Sequence, residues 1–225
     1  MKKNNFTVIF IIILGLLFYL LTACSTNSVE SGNGKIIFLV GKVILNNVQA
    51  KIGDAIMPDS KIITEENSSC DIVFSDKNII HIGEKSDVVL NITEKLKKIK
   101  LNSGFIVNIL KNLEKLANSM LTSYTVETST AVAGVRGTSF FVKVEDPNNT
   151  YICDCNGIIE TQNINGSEKK QIAAKHHQAV RFTKTEKGII LGSAPMLYHT
   201  DQDLEALASK INVNINWTKI DNSNK

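Results

Sequence analysis

From Lys35 onward the chain alternates short apolar runs with polar breaks. Ile36 to Val40 stops at Gly41, Val43 to Leu45 at Asn46-Asn47, Asp71 to Phe74 at Ser75-Asp76, and Ile79 to Ile82 at Gly83. Val88 to Leu90, Ile99 to Leu101 and Phe105 to Val107 continue the series. Short runs rich in Val and Ile, closely and regularly spaced, predict an all-β sandwich, roll or short solenoid rather than βαβ units. Two segments carry the helical period instead. Leu110, Leu113, Leu116, Ala117 and Met120 share one face of a helix expected over Ile109 to Ser119. Leu204, Leu207, Ala208 and Ile211 share one face of a second. Thr200 and Asp203 have the spacing of its capping box, and Asp201, Asp203 and Glu205 load its first turn with negative charge. Asn212 to Trp217 alternates and reads as a last strand or a tail, with the single Trp217 a packing residue.

The first 24 residues have a different character. Met1 to Asn5 is a short basic start, Phe6 to Leu21 is apolar apart from Thr7, and Leu21-Thr22-Ala23-Cys24 follows. This is the plan of a secretory signal. Its last four residues resemble the bacterial lipobox, which implies cleavage before Cys24 and diacylglycerol on the Cys24 sulfur. Residues 1–23 are then a signal peptide, and 24–35 are the lipidated cysteine with a polar tether. The expected location is the bacterial envelope, outside the cytoplasm, on the periplasmic face, the outer membrane or the surface. Two or more acyl chains hold a protein to a membrane far better than one.

Composition narrows the function. The chain has 225 residues, 25 basic and 22 acidic, with a net charge of +3. Removing Lys2 and Lys3 with the signal leaves about +1, too balanced for a nucleic-acid binder driven by phosphate neutralisation. Arg136 and Arg181 are the only arginines, a further sign against a phosphate-reading surface. There is no G-x-S-x-G elbow, H-E-x-x-H helix or Walker loop, and His81 stands alone on its strand, so no enzyme is expected.

The most distinctive stretch is Val126 to Val142, a strand, a tight loop and a strand. Gly134 and Gly137 permit a sharp reversal, and Phe140-Phe141-Val142 suits a strand buried on both faces. Arg136, with five donors, suits a staple for loop carbonyls. Gly134-Val135-Arg136-Gly137-Thr138 resembles the hallmark of the FecR domain. Gly41-Lys42-Val43, Gly53, Asp59, Ile62 to Thr64, Ile72 to Asp76, Val88 to Leu90 and Leu101 to Ile106 resemble its other pieces in order. The chain departs from the pattern at Lys77 and Ser129, where the family usually has glycine and proline. The resemblance implies a FecR-like β-domain over 36–160, followed by an extension over 161–225. It also implies an extracytoplasmic part in sensing or protein contacts. Five residues precede the apolar segment, so no sigma-factor contact is expected; the expected partner is an envelope protein or a cell-wall component.

One further constellation follows the motif. Cys153 and Cys155 stand at i and i+2, so on a strand both thiols face one way. His176, His177 and His199 come later. Together they offer Cys2His2 or Cys2His3 ligation to zinc, iron or copper. A position just before a helix start favours neutral His199, the form a metal takes. The C-x-C, H-H and H-T-D pieces resemble ones that trail the core in some FecR-domain proteins. Two other readings stay open: a disulfide or thiol redox pair, and incidental cysteines. A disulfide between Cys153 and Cys155 would need a turn there, and Cys70 is an alternative partner. The primary expectation is a lipid-anchored, non-catalytic binding or sensing module; metal binding and thiol redox chemistry are the alternatives.

Overall fold

The computed structural model describes residues 33–75, 77–93, 96–111, 124–135 and 137–221. The signal, Cys24, most of the tether and Arg136 lie outside them. Alternating burial builds two sheets. Sheet I runs in the order β4 (Ala55–Ile56), β1 (Gly34–Val40), β6 (Ser69–Phe74), β7 (Asn78–Ile82), β9 (Lys97–Leu110), β12 (Ser139–Asp146), β13 (Asn149–Asn163), β15 (Gln178–Thr185) and β16 (Gly188–Ala194). Sheet II runs β3 (Val48–Gln49), β2 (Val43–Leu45), β5 (Ser60–Thr64), β8 (Asp87–Ile92), β9, β10 (Tyr124–Glu127), β11 (Ala131–Val135), β13 and β14 (Lys170–Ala174).

The two long strands β9 and β13 belong to both sheets. Lys97 to Ser103 pairs in sheet II and Gly104 to Leu110 in sheet I. Asn149 to Asn156 pairs in sheet I and Gly157 to Asn163 in sheet II. A glycine stands at each corner, Gly104 at φ +79° and Gly157 at φ +149°. A Cβ on either would collide with a side chain, Ser86 or Thr138, so the corners need glycine for backbone and space alike.

The sheets enclose one apolar core, with Ile72, Ile80, Ile106, Phe140 and Val142 from sheet I against Val88, Leu90, Ile99, Val126 and Ile159 from sheet II. A second cluster covers the opposite face of sheet I. There Ile79, Val107, Phe141, Tyr151, Cys153 and Cys155 meet Leu204, Leu207, Ala208 and Ile211 of the helix α1 (Asp201–Ser209) and the turn after it. Phe140 and Phe141 therefore feed opposite cores, as expected of a strand buried on both faces. Thr200 caps α1, with Asp203 completing the box.

Two expectations need correction. Ile109 and Leu110 are strand, not helix: Ile109 pairs with Ile79 and Ser139, and two neighbouring strands satisfy backbone groups that a helix would have to turn inward. Residues 112–119 of the expected helix lie outside the described residues. The boundary expected at residue 160 falls within β13, and β14 to β16 extend the same two sheets. Residues 213–216 form no strand. Among the described residues, no helix is long and apolar enough to cross a membrane.

Candidate metal centre

The site begins with an irregularity in β13. Opposite β12, Ser139 pairs with Asn156 and Phe140 with Asp154, so Cys155 is an extra, bulged residue. A bulge re-aims side chains. Here it leaves Cys153, Cys155 and Asn156 facing the helix side, where Asn156 Nδ2 donates to the carbonyls of Lys175 and Asn216. Asp154 points the other way. Its carboxyl accepts from Thr138 Oγ1 and from the Ala174 amide, and burial pushes its pKa up to about 8. Thr138, from the glycine-flanked motif, also donates to the Asn156 carbonyl at 2.8 Å. The motif thus anchors the strand segment that carries both thiols.

Two loops supply the imidazoles. His177 sits between β14 and β15 with φ +35°, and its amide donates to the Cys155 carbonyl at 3.1 Å. His199 sits between β16 and α1 in a loop fixed by Tyr151, whose hydroxyl donates to Pro195 O and accepts from the Leu197 amide. Phe141 stacks on the His199 ring at 4.6 Å and 12°.

The four donor atoms of Cys153, Cys155, His177 and His199 lie within 4.8 Å of one another. Cys153 Sγ is 3.6 Å from His177 Nδ1, Cys155 Sγ is 3.3 Å from His199 Nε2, and the two nitrogens are 3.2 Å apart. A tetrahedral ion with bonds of about 2.3 Å to sulfur and 2.0–2.1 Å to nitrogen needs edges of roughly 3.3–3.8 Å. The other nitrogen of each ring has an acceptor: His177 Nε2 meets Asp201 Oδ1 at 2.7 Å, and His199 Nδ1 meets the Leu197 carbonyl at 2.8 Å. Those acceptors select the tautomers that direct a lone pair from each ring toward the sulfurs.

Electrostatics prepare the thiols. A hydrogen bond from Cys155, against burial and aided by His177 and His199, brings the Cys153 pKa down to about 4, while burial pushes Cys155 up. Burial opposes a charge on His177, but Cys153 and Asp201 outweigh it and its pKa rises. Burial likewise opposes the Asp201 charge, yet His176 and His177 hold it below the usual carboxylate range. Cys153, His177 and Asp201 also have the order of a thiol nucleophile, base and orienting carboxylate. Cys153 is fully buried, however, so a substrate carbonyl has no approach to the sulfur.

His176 is not with the thiols. It lies on the outer side, where its Nε2 meets Asp201 at 2.9 Å, and Trp217 packs against both His176 and His177. Cys70 is in the inter-sheet core, away from Cys153 and Cys155, and all three described cysteines are free. Sequence reasoning used Asp201 only as helix-start charge; its place two residues after His199 was the available signal. It also left His81 without a partner. Asp71, directly opposite on β6, binds His81 Nδ1 at 2.7 Å and also accepts from Lys210. Ten residues and a turn separate the two in sequence, and only strand register joins them.

Residues 60–154 match the family model described as FecR protein, and the chain carries a FecR-family domain. The match includes Gly134, Val135, Gly137 and Thr138 but ends inside the C-x-C, so Cys155, His177 and His199 lie beyond it. No curated protein matches the chain. Two crystal structures, at 2.50 and 1.65 Å, of a Parabacteroides distasonis protein provisionally described as an anti-sigma factor are similar to it. Each has 13% identity, covers 59% of both chains and has a TM-score of 0.47 or 0.48. The chain thus spans about three fifths of their length.

Proposed function

We propose that this is a lipid-anchored FecR-domain protein of the bacterial envelope that holds a transition-metal ion, zinc foremost, on Cys153, Cys155, His177 and His199. The observation that carries the reading is that four donor atoms, on three buried residues and half-buried His177, all lie within 4.8 Å of one another, three of their separations being 3.2, 3.3 and 3.6 Å, with an acceptor behind each imidazole. Two thiols and two imidazoles are a donor set for zinc, with iron and copper as competitors. Four protein ligands close the coordination shell, which is the plan of a structural or sensing site and not of a catalytic one. The ion would join the bulge of β13 to two loops and the start of α1, so occupancy would set the order of the helix side of sheet I. The partner of such a module is an envelope protein or a cell-wall component. Neither nucleic acid nor a sigma factor has a place in this reading. The signal-like start and the Cys24 lipobox support the envelope location.

The test is metal analysis of protein purified without chelator. One equivalent of metal is expected, lost in Cys153→Ser and His177→Ala and kept in His176→Ala. Metal-free protein that takes up no zinc, or equal retention in all three variants, would overturn the assignment. Two thiols that titrate only after treatment with reductant, in place of metal, would favour the redox reading.

A further inference from the structure

His177 has a second set of neighbours on the side of its ring away from the thiols. One donor atom each from His176, His177 and Asp201 lie within 4.8 Å of one another. Asp201 Oδ1 is 2.7 Å from His177 Nε2, and Asp201 Oδ2 is 2.9 Å from His176 Nε2. The two consecutive histidine rings stand 4.7 Å apart at 63°, so both Nε2 atoms reach one carboxylate. The side chains of His176 and Asp201 are 51% and 36% exposed, whereas Cys153 and Cys155 are fully buried. This cluster therefore opens to solvent and the thiols do not. Among the described residues, Asp201 pairs with these two imidazoles and with no lysine or arginine. Trp217 packs on both rings, and its Nε1 donates to Glu205 at 2.8 Å.

Two imidazoles and a carboxylate with positions left open to water are a donor set for zinc, nickel or copper. A neutral imidazole has one acceptor nitrogen. His177 can hold an ion on Nδ1, toward the thiols, or on Nε2, toward Asp201, but not on both. The outer cluster and the four inner donors are thus alternative positions for one ion, on either side of one ring.

We propose that His176, His177 and Asp201 form an outer, open metal position that captures a divalent transition-metal ion from solution and passes it to the buried donors. The proposal rests on the metal reading above. Passage exchanges the ion and the ring proton: the ion leaves Nε2 for Nδ1, and a proton takes its place on Nε2, where Asp201 accepts it. Three exposed donors bind more weakly than four enclosed ones with two thiolates among them, so the ion comes to rest inside. His176 acts on the path and not in the final shell.

The outer position is tested with nickel on the full chain carrying Cys153→Ser and Cys155→Ser, which disable the inner donors. Trp217 is the single tryptophan, and an open-shell ion held by the rings it packs on quenches its emission. Saturable quenching is expected, and adding His176→Ala should weaken nickel by at least about tenfold. The second measurement keeps the cysteines, and so stands should the serine variant fold poorly: zinc uptake from, and release to, a chromophoric chelator, followed by stopped flow. A group that assists passage without being a final ligand lowers the barrier in both directions. His176→Ala is therefore expected to slow uptake and release by the same factor, about tenfold or more. Nickel quenching that His176→Ala leaves unchanged, or zinc uptake as fast in His176→Ala as in the parent, would overturn the proposal. A parent that takes up no zinc at all would overturn the metal reading, whereas zinc bound at a rate indifferent to His176 would overturn the outer position alone.

Discussion

Replacing Asp201 with Asn removes a charge while keeping the volume, and so isolates its part in the proposed metal centre. Asp201 Oδ1 is 2.7 Å from His177 Nε2, and Asp201 is the first residue of α1. The carboxylate orients the ring and makes Nδ1 a better donor, and loss of such an outer partner weakens metal binding by about 10–100-fold, or ~1.4–2.7 kcal/mol. Two controls separate this from general damage. Thr200→Ala removes the helix cap and is expected to cost about 1 kcal/mol of folding stability while leaving affinity within about threefold. His176→Ala removes the outer histidine, which does not reach the thiols, and should also stay within about threefold. The assay is competition for zinc against a chromophoric chelator, with emission from Trp217, stacked on His177 at 5.3 Å, as a second readout. If Asp201→Asn binds zinc as tightly as the parent, or Thr200→Ala weakens it equally, Asp201 is only a helix residue.

Other consequences are as direct. Cys155→Ser should lose the zinc-induced rise in stability, about 2.7 kcal/mol for the parent at a free metal concentration 100 times Kd, measured by urea unfolding with and without zinc. Burial works against the Asp71 charge, but His81 and Lys210 outweigh it and its folded pKa lies below the ordinary value. Its stabilisation is therefore complete above the unfolded pKa of about 4 and is lost as pH falls through the folded value. Unfolding free energy should drop on acidification below about pH 4, and Asp71→Asn should flatten that drop; an unchanged slope would contradict the pairing. Gly157→Ala would force a side chain against Thr138 at a corner with φ +149° and should destabilise by at least about 2 kcal/mol in the same assay; a cost below about 0.5 kcal/mol would contradict the corner's role. Cys24→Ser should move the protein from the membrane fraction to the soluble one, read by fractionation of cells.

Local patterns in the sequence carried much of the fold. Alternation and short spacing pointed to the sheets, Thr200 and Asp203 marked the start of α1, and Phe140-Phe141 announced a strand covered on both faces. Ile109 and Leu110 misled because two apolar residues at the end of a 14-residue strand have the same composition as the first turn of an amphipathic helix. The C-x-C and the later histidines were legible as candidate donors. Which imidazoles reach the sulfurs was not, since that depends on a bulge at Cys155 and on where two loops return to β13. Asp71 and His81 were invisible as a pair for the same reason: a cross-strand contact exists only once register is set.

X-ray absorption at the zinc edge of the loaded protein is the most direct test of the central claim. A first shell of two sulfurs at about 2.3 Å and two nitrogens at about 2.0–2.1 Å is expected, with one sulfur lost in Cys155→Ser. A shell of oxygen and nitrogen alone, or one that Cys155→Ser leaves unchanged, would contradict it.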